Sequence, residues 1–319
     1  MLNQTLITIL ADGNYHSGES LGEALGVSRA AAWKQIKKLT AVGIEVESVK
    51  GRGYRVIGGI DTISQFDVAG RLTVLGSLVQ YDHHECLSST NTELLALANT
   101  EHFHCTAIGS DMQSNGRGRR GRQWLSPYAE NICLSLGWQF ENGAASLEGL
   151  SLAVGVVVAK TLHQCGVEAV ELKWPNDVLI SGRKLAGILL EMSGDPSGAC
   201  SVVVGIGINV HMKRQMDDIN QPWISCDEAA SAPLVRGQLT ALLLSNLEIM
   251  LTEYSEVGFK KYRNEWLSMH AYQNKQVTVT AGDTVYVGEA MGVDDAGALQ
   301  VSNKVGVRVF HGGEVSVRG

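Results

Sequence analysis

The run Gly116-Arg117-Gly118-Arg119-Arg120-Gly121-Arg122 sets four arginines among three glycines. Glycine lets a backbone bend sharply and bring its N–H groups close to a ligand. Arginine adds a planar, two-pronged donor for phosphate or carboxylate. Taken alone, the run reads equally well as a solvated or RNA-binding loop. Its flanks, Gln113 before it and Trp124, Ser126 and Pro127 after it, belong to a folded segment and favour a loop that clamps a ligand. Three more segments carry groups of comparable use. Ser88-Ser89-Thr90-Asn91 gathers small donors and acceptors, suited either to capping a helix or to gripping a neutral polar ring. Lys173-Trp174-Pro175-Asn176-Asp177 places two charges and an amide around a proline turn. Gly182-Arg183-Lys184-Leu185-Ala186-Gly187 presents Lys184 just ahead of an apolar strand.

Other chemistries find no support in the spacing. There is no GxxxxGK[ST] phosphate loop and no GxSxG nucleophile turn, and Gly205-Ile206-Gly207-Ile208-Asn209 lacks the third glycine of a dinucleotide fingerprint. His83-His84 and His102-Phe103-His104-Cys105 are not spaced as metal ligands, so no metal site is expected. The six cysteines (86, 105, 133, 165, 200 and 226) are scattered, with no CxxC pair, which points to free thiols in a reducing compartment. The longest apolar run, Leu150–Ala159, is too short for a bilayer, which needs about 20 residues. With no leader in the first ten residues, the expected location is cytoplasmic, away from membranes. The net charge of −7 argues against indiscriminate nucleic-acid binding. Residues 1–57 nevertheless hold seven Lys/Arg against five acids, a local +2 on an acidic chain, which suggests one dedicated contact surface.

The chain's 319 residues exceed one ordinary core, and the pattern divides them. Leu2, Leu6, Ile9 and Leu10 recur at helical spacing, and Ser17 caps a second short helix carrying Leu21 and Leu25. Gly26-Val27 makes a tight turn, and Ser28 caps a third helix that runs to about Val42. Ile44, Val46 and Val49, a turn at Gly51–Gly53, then Tyr54 and Val56 read as a β-hairpin. Helix, helix, turn, helix and hairpin is the layout of a winged helix-turn-helix, assigned to residues 1–62. On the third helix Ala32, Ile36 and Leu39 share the inner face. Ser28, Arg29, Ala30, Lys34 and Lys37 fall toward a groove, with Lys38 beside them and Arg52 at the wing tip. The competing reading is a small helical or protein-docking module with a solvated lysine face.

Gly58-Gly59 and the polar stretch to Ser64 read as a linker. Beyond it, residues 66–270 mix helices (150–162, 239–254) with apolar strands (132–139, 188–192, 202–210). Without a βαβ cadence, the fold class is α+β and multidomain. Residues 271–319 are short alternating runs separated by Gly282-Asp283, Asp294-Asp295 and Gly312-Gly313, as in a small β-domain.

Taken in order, SSTN at 88–91, QSNGRGRRGRQW at 113–124, KWPND at 173–177 and GRKLAGIL at 182–189 resemble the biotin–protein ligase family. Asn115 stands where that family's pattern has alanine. With its N-terminal domain, the whole chain resembles the bifunctional branch, in which the ligase doubles as repressor of a biotin operon. The resemblance implies a central domain like class II aminoacyl-tRNA synthetases and a C-terminal SH3-like β-barrel. It implies formation of biotinyl-5′-AMP from biotin and ATP, with Mg²⁺, followed by transfer of biotin to a lysine of the carrier protein of acetyl-CoA carboxylase. Lys184 and Arg119 are then the catalytic cations, Lys184 bridging carboxylate and α-phosphate. Ser89, Thr90, Asn91, Gln113 and the backbone of Arg117, Gly118 and Arg119 would hold biotin. Arg119, Arg120, Arg122, Asp177, Asn209 and Trp223 would hold ATP or adenylate, Trp223 having a core tryptophan as its plainer reading. The retained adenylate would promote a homodimer on operator DNA. Two alternatives remain: a lipoate or octanoate ligase with a regulatory domain, and a ligand-sensing repressor without turnover.

Overall fold

The computed structural model describes residues 2–141, 147–194, 198–213, 219–312 and 315–319, with backbone alone for 315 and 316. Helix α1 (Gln4–Leu10) begins where the Asn3 side chain accepts from Leu6 N at 3.0 Å, and it buries Leu6, Ile7 and Leu10. Helix α2 (Gly18–Ala24) and helix α3 (Arg29–Ala41) are each capped by a serine, Ser17 and Ser28. The turn between them needs glycine twice. Gly26 has φ +64°, and a Cβ on Gly22 would stand 2.8 Å from Val27 O. That close approach lets α2 and α3 cross tightly. On α3 Ala32, Ile36 and Leu39 are the buried residues, as their spacing predicts. Strand β1 (Val46–Val49) pairs antiparallel with β2 (Gly53–Val56) to form the wing.

This N-terminal unit is not loosely tethered. Its core closes over Tyr128 and Ala129 of the next domain, and Leu2 N donates to Glu85 Oε1 at 2.9 Å. The polar stretch after Gly58-Gly59 is pinned as well. Ile63 is buried, and Asp61 accepts from Arg236 N (2.7 Å) and from His211 Nε2 (2.9 Å). Composition suggests a free linker; tertiary hydrogen bonds make it a fixed strut.

The central domain opens with helix α4 (Gln65–Leu75), strand β3 (Gln80–Leu87), helix α5 (Thr90–Leu95) and strands β4 (Thr106–Gln113) and β5 (Asn131–Phe140). It continues through helix α6 (Leu150–Gln164) and strands β6 (Val170–Lys173), β7 (Asp177–Ile180), β8 (Arg183–Gly194) and β9 (Cys200–Asn209). It ends with helices α7 (Cys226–Ala229), α8 (Arg236–Val257) and α9 (Arg263–Ser268). The strands form one sheet in the order β3-β4-β5-β9-β8-β7-β6, with β3 and β4 parallel and every other pair antiparallel. Along β9, Val202, Val204, Ile206 and Ile208 point into the core under α6 and α8, while Val203 faces the smaller cluster around α5. Alternation therefore puts Gly205 and Gly207 on the α5 face. The observed strands outrun the apolar runs that predict them, because β8 and β9 extend through polar ends that the ladder still pairs.

Strands β10 (Gln276–Ala281), β11 (Thr284–Val293), β12 (Leu299–Asn303), β13 (Gly306–Phe310) and β14 (Val315–Arg318) form a five-stranded antiparallel sheet. It shares the main hydrophobic core through Val277, Val293 and Leu299, and Trp174 Nε1 donates to Gly297 O at 3.0 Å. Among the described residues no helix is long and apolar enough to cross a membrane.

Candidate active site

The α5 face of the sheet carries a slot floored by glycine. Gly187 on β8 pairs with Gly207 on β9, and Leu189 pairs with Gly205. A methyl group on Gly207 would collide with the Trp124 indole, and one on Gly205 with the Asn91 amide. One on Gly187 would sit 3.2 Å from Lys184 Nζ. The missing side chains are what admit Asn91, Trp124 and Lys184 to the sheet surface. The Trp124 Nε1 is buried against Gly207 with no protein hydrogen-bond partner.

One end of the slot is neutral and polar. Ser89 stands at the N-cap of α5 without making a side-chain cap, so its hydroxyl is not spent on the helix. Thr90 N and Oγ1 both donate to Gln113 Oε1, at 2.8 and 3.2 Å. Ser135 Oγ lies 2.7 Å from Thr90 Oγ1 and 2.5 Å from Asn91 Oδ1. The Asn91 amide donates to Leu189 O (3.2 Å) and Glu191 Oε2 (2.8 Å). Ser89, Thr90, Asn91 and Ser135 are all buried. Thr90, Asn91 and Ser135 partner one another and Gln113, Leu189 and Glu191, which sets a fixed array of donors and acceptors that a neutral polar ligand can join.

The other end is cationic. Lys184 Nζ contacts Asp177 Oδ1 at 2.7 Å, with both side chains 16% exposed, and lies 5.7 Å from the Trp124 ring centre. Asp177 is held by the short hairpin of β6 and β7, in which it pairs with Lys173 across the cis Trp174–Pro175 bond. Arg119 Nη1 donates to Asn176 Oδ1 at 3.1 Å. Burial pushes the pKa of Lys173 down; Asp177 opposes this, while Lys184, Arg122 and Arg318 add repulsion. Burial also lowers that of Arg119, again opposed by Asp177. Lys184, Lys173 and Arg119 thus share the field of Asp177, with Arg122 and Arg318 adding positive charge near Lys173, and a field with that excess favours an anion.

The arginine loop divides its labour. Gly118 N donates to Arg122 O at 2.7 Å and Trp124 N to Gly116 O at 2.9 Å, closing a hairpin-like turn whose tip, Arg120 and Gly121, has positive φ. Arg119 turns inward, Arg120 and Arg122 stay exposed, and Arg117 pairs with Glu191 at 2.7 Å. Asn209 is committed inside the fold. Its amide donates to Lys184 O (3.3 Å) and Ile224 O (3.2 Å), and its Oδ1 accepts from Asn131, so it fixes the backbone beneath Lys184. Trp223 is half-buried and bridges Lys184 through backbone: Lys184 N donates to Pro222 O and Ile224 N to Lys184 O. Ser135, Glu191 and Arg318 escape the sequence reading. Ser135 alone left a signal there, as the one polar residue within Ile132–Leu136.

On the N-terminal unit Ser28, Arg29, Ala30, Lys34, Lys37 and Arg52 are all exposed. Arg52 stacks on Tyr15 with its guanidinium carbon 4.0 Å from the ring centre, and Lys37 covers the exposed Trp33 at 4.0 Å. Among the described residues no group of three or more His, Cys, Asp or Glu gathers as a metal site.

Residues 84–209 match the biotin/lipoate A/B protein ligase family, residues 2–55 an HTH domain, and residues 273–318 a biotin protein ligase C-terminal domain. The chain is 39% identical to the bifunctional ligase/repressor BirA of Salmonella typhimurium, covering 98% of this chain and 97% of that one. It is 32% identical to a biotin–[acetyl-CoA-carboxylase] ligase of Paracoccus denitrificans over 71% of this chain and 96% of that one. The fold matches a biotin protein ligase from Aquifex aeolicus in complex with biotin and ATP, with TM-score 0.65 and 27% identity over 75% of this chain and 98% of that one.

Proposed function

The chain belongs to the biotin–protein ligase family, in its bifunctional ligase/repressor branch, and on that premise we propose how its residues carry both functions. It joins biotin to ATP as biotinyl-5′-AMP, passes biotin to a lysine of an acetyl-CoA carboxylase carrier protein, and represses transcription through its N-terminal domain. The observation that carries the site assignment is the graded slot: polar groups at Thr90–Asn91, a glycine floor under Trp124, and cations around Lys184. A ligand with a polar ring, an apolar body and a terminal carboxylate matches that order. Ser89, Thr90, Asn91, Gln113 and the Arg117–Arg119 backbone hold the ring. Trp124, seated on Gly207, lies along the body. Lys184 meets the carboxylate.

The carboxylate is ionised at neutral pH and attacks the α-phosphate without an enzymic base, and pyrophosphate leaves. The obstacle is repulsion between two anions, and Lys184 with Arg119 lowers it. Arg120 and Arg122, exposed at the loop tip, order over the phosphates. Asp177 keeps Lys184 aimed, and Asn209 fixes the strand beneath it on the adenine side. Trp223, beside Lys184, covers the adenylate and shields its anhydride from water. The carrier lysine then attacks the carbonyl as the neutral amine, and AMP leaves. Mg²⁺ would be held by the nucleotide and would supply neutralisation of phosphate charge, since the site's own carboxylates, Asp177 and Glu191, are already paired with cations. A lipoate or octanoate ligand has no ureido-like donors and acceptors to join the polar array at Thr90, Asn91 and Ser135, which disfavours that reading.

The fold that goes with this function has domains at 1–62, 66–270 and 271–319. We read the central one as class II aminoacyl-tRNA synthetase-like and the C-terminal five-stranded sheet as an SH3-like barrel. A homodimer is supported by β8, whose pairing with β7 ends at Gly187, so that Leu190–Gly194 extend past β7 as an edge for a second copy. Two winged helices on such a dimer would span a palindromic operator. Incubation with ATP and biotin, lipoate or octanoate, followed by pyrophosphate release and transfer to a carrier domain, tests the enzyme. Operator binding that ignores biotin plus ATP would sink the repressor mechanism.

A further inference from the structure

Glu191 sits behind the ring site and is tied to both of its halves. Its Oε2 accepts from Asn91 Nδ2 at 2.8 Å and from Arg117 Nη2 at 2.7 Å. Asn91 belongs to the floor of the slot, against Gly205, and Arg117 to the loop that closes over it. The two contacts constrain different things. Accepting from Nδ2, alongside Leu189 O, Glu191 fixes which way the Asn91 amide faces and leaves its Oδ1 toward Ser135. Holding the Arg117 guanidinium ties the first half of the loop to β8, so the backbone at Arg117 and Gly118 is held beside the ring end.

We propose that Glu191 is a positioning residue for biotin: one carboxylate oxygen sets the orientation of Asn91 and the height of the Arg117–Gly118 backbone above it. It touches neither the phosphates nor Lys184. The inference rests on the assignment of this slot to biotin. Its signature is a split between binding and turnover. Losing a charge-assisted bond to a ligand-holding loop weakens binding of ring and transition state alike, which raises KM and spares kcat.

The test uses the full-length protein, steady-state pyrophosphate release at saturating ATP with biotin varied, and dissociation of biotinyl-5′-AMP. Glu191→Gln keeps an acceptor for Asn91 but loses the charge that holds Arg117, and it should raise the KM for biotin about tenfold with kcat within about twofold of wild type. Glu191→Ala loses both contacts and should raise KM further and speed adenylate release. Arg117→Ala should match Glu191→Gln, and in the Glu191→Gln background it should add little, because both remove the same tie. A merely structural role would lower kcat or stability without this non-additivity. Should Glu191→Gln not fold, Arg117→Ala, at the more exposed end of the pair, tests the tie from the other side. Biotin KM within twofold of wild type in the folded variants, or additive effects in the double variant, overturns the proposal. Failure of the wild type to release pyrophosphate with biotin would instead overturn the biotin assignment itself.

Discussion

Replacing Lys184 by alanine separates the two half-reactions. Its ammonium sits 2.7 Å from Asp177 and, by the proposed geometry, meets the attacking carboxylate and the α-phosphate. Two unit charges at about 4 Å interact by about 4 kcal/mol at an effective dielectric of about 20, or about three decades of rate. Removing the ammonium also leaves Asp177 without its partner. That freed carboxylate, about 7 Å from the phosphorus, adds about 2 kcal/mol of repulsion. Lys184→Ala should therefore slow adenylation at least about 10³-fold, and Asp177→Asn in that background should recover about thirtyfold. The assay is single-turnover pyrophosphate release. Transfer from preformed biotinyl-5′-AMP to the carrier, where no second anion approaches, should fall by less than about tenfold. Adenylation within tenfold of wild type, or a double variant slower than the single one, would refute the electrostatic account.

Gly207→Ala drives a methyl group into Trp124 and should raise the biotin KM more than about tenfold, since overpacking costs about 1–3 kcal/mol; unchanged biotin affinity by calorimetry counts against the slot. Arg236 is fully buried and donates to Asp111 Oδ1 (2.6 Å), Asn131 O (2.8 Å) and Asp61 O. Arg236→Met leaves buried Asp111 with His83 alone, 3.1 Å away, as its cationic partner and should cost about 3 kcal/mol in urea unfolding. At His211 burial pulls the pKa down, but Asp61 and Asp227 outweigh it and hold it above the ordinary histidine value. Burial likewise raises the Asp61 carboxyl, and His211 and Arg236 outweigh that and hold it low. The raised histidine contributes stability that is complete below about pH 6.5 and lost as pH rises through its folded pKa. The lowered aspartate contributes stability present above about pH 3.9 and lost as pH falls through its folded pKa. This tie between the strut at Asp61 and the segment after β9 is thus strongest between about pH 4 and 6.5, and His211→Asn should flatten the alkaline loss; an unchanged stability–pH curve counts against it. Lys34→Ala and Lys37→Ala should each weaken operator binding and lower its log–log salt slope by about 0.9, read by anisotropy; unchanged slopes would remove these lysines from the phosphate contacts.

What the sequence determined by itself is local. Serine caps, the Gly26 turn and the Ala32–Ile36–Leu39 stripe specify the three helices and the wing, because capping and periodicity act within a few residues. The arginine loop, Thr90–Asn91 and Lys184 stood out as candidate ligand groups because their side-chain chemistry does not depend on the fold. Only the tertiary structure could decide which of them meet. Thr90 reaches Gln113, and Asn91 and Arg117 share Glu191, across separations of 23 to 100 residues, through a sheet whose register no local signal fixes. The same register put Gly187 opposite Gly207, so that two glycines with no assigned role in the sequence seat Lys184 and Trp124 on the sheet. It also turned Asn209 toward the backbone of Lys184 and Ile224, and made a strut of what composition called a linker. Hydrogen bonds between distant segments depend on where strands align, and that is settled only when the core between sheet and helices is packed.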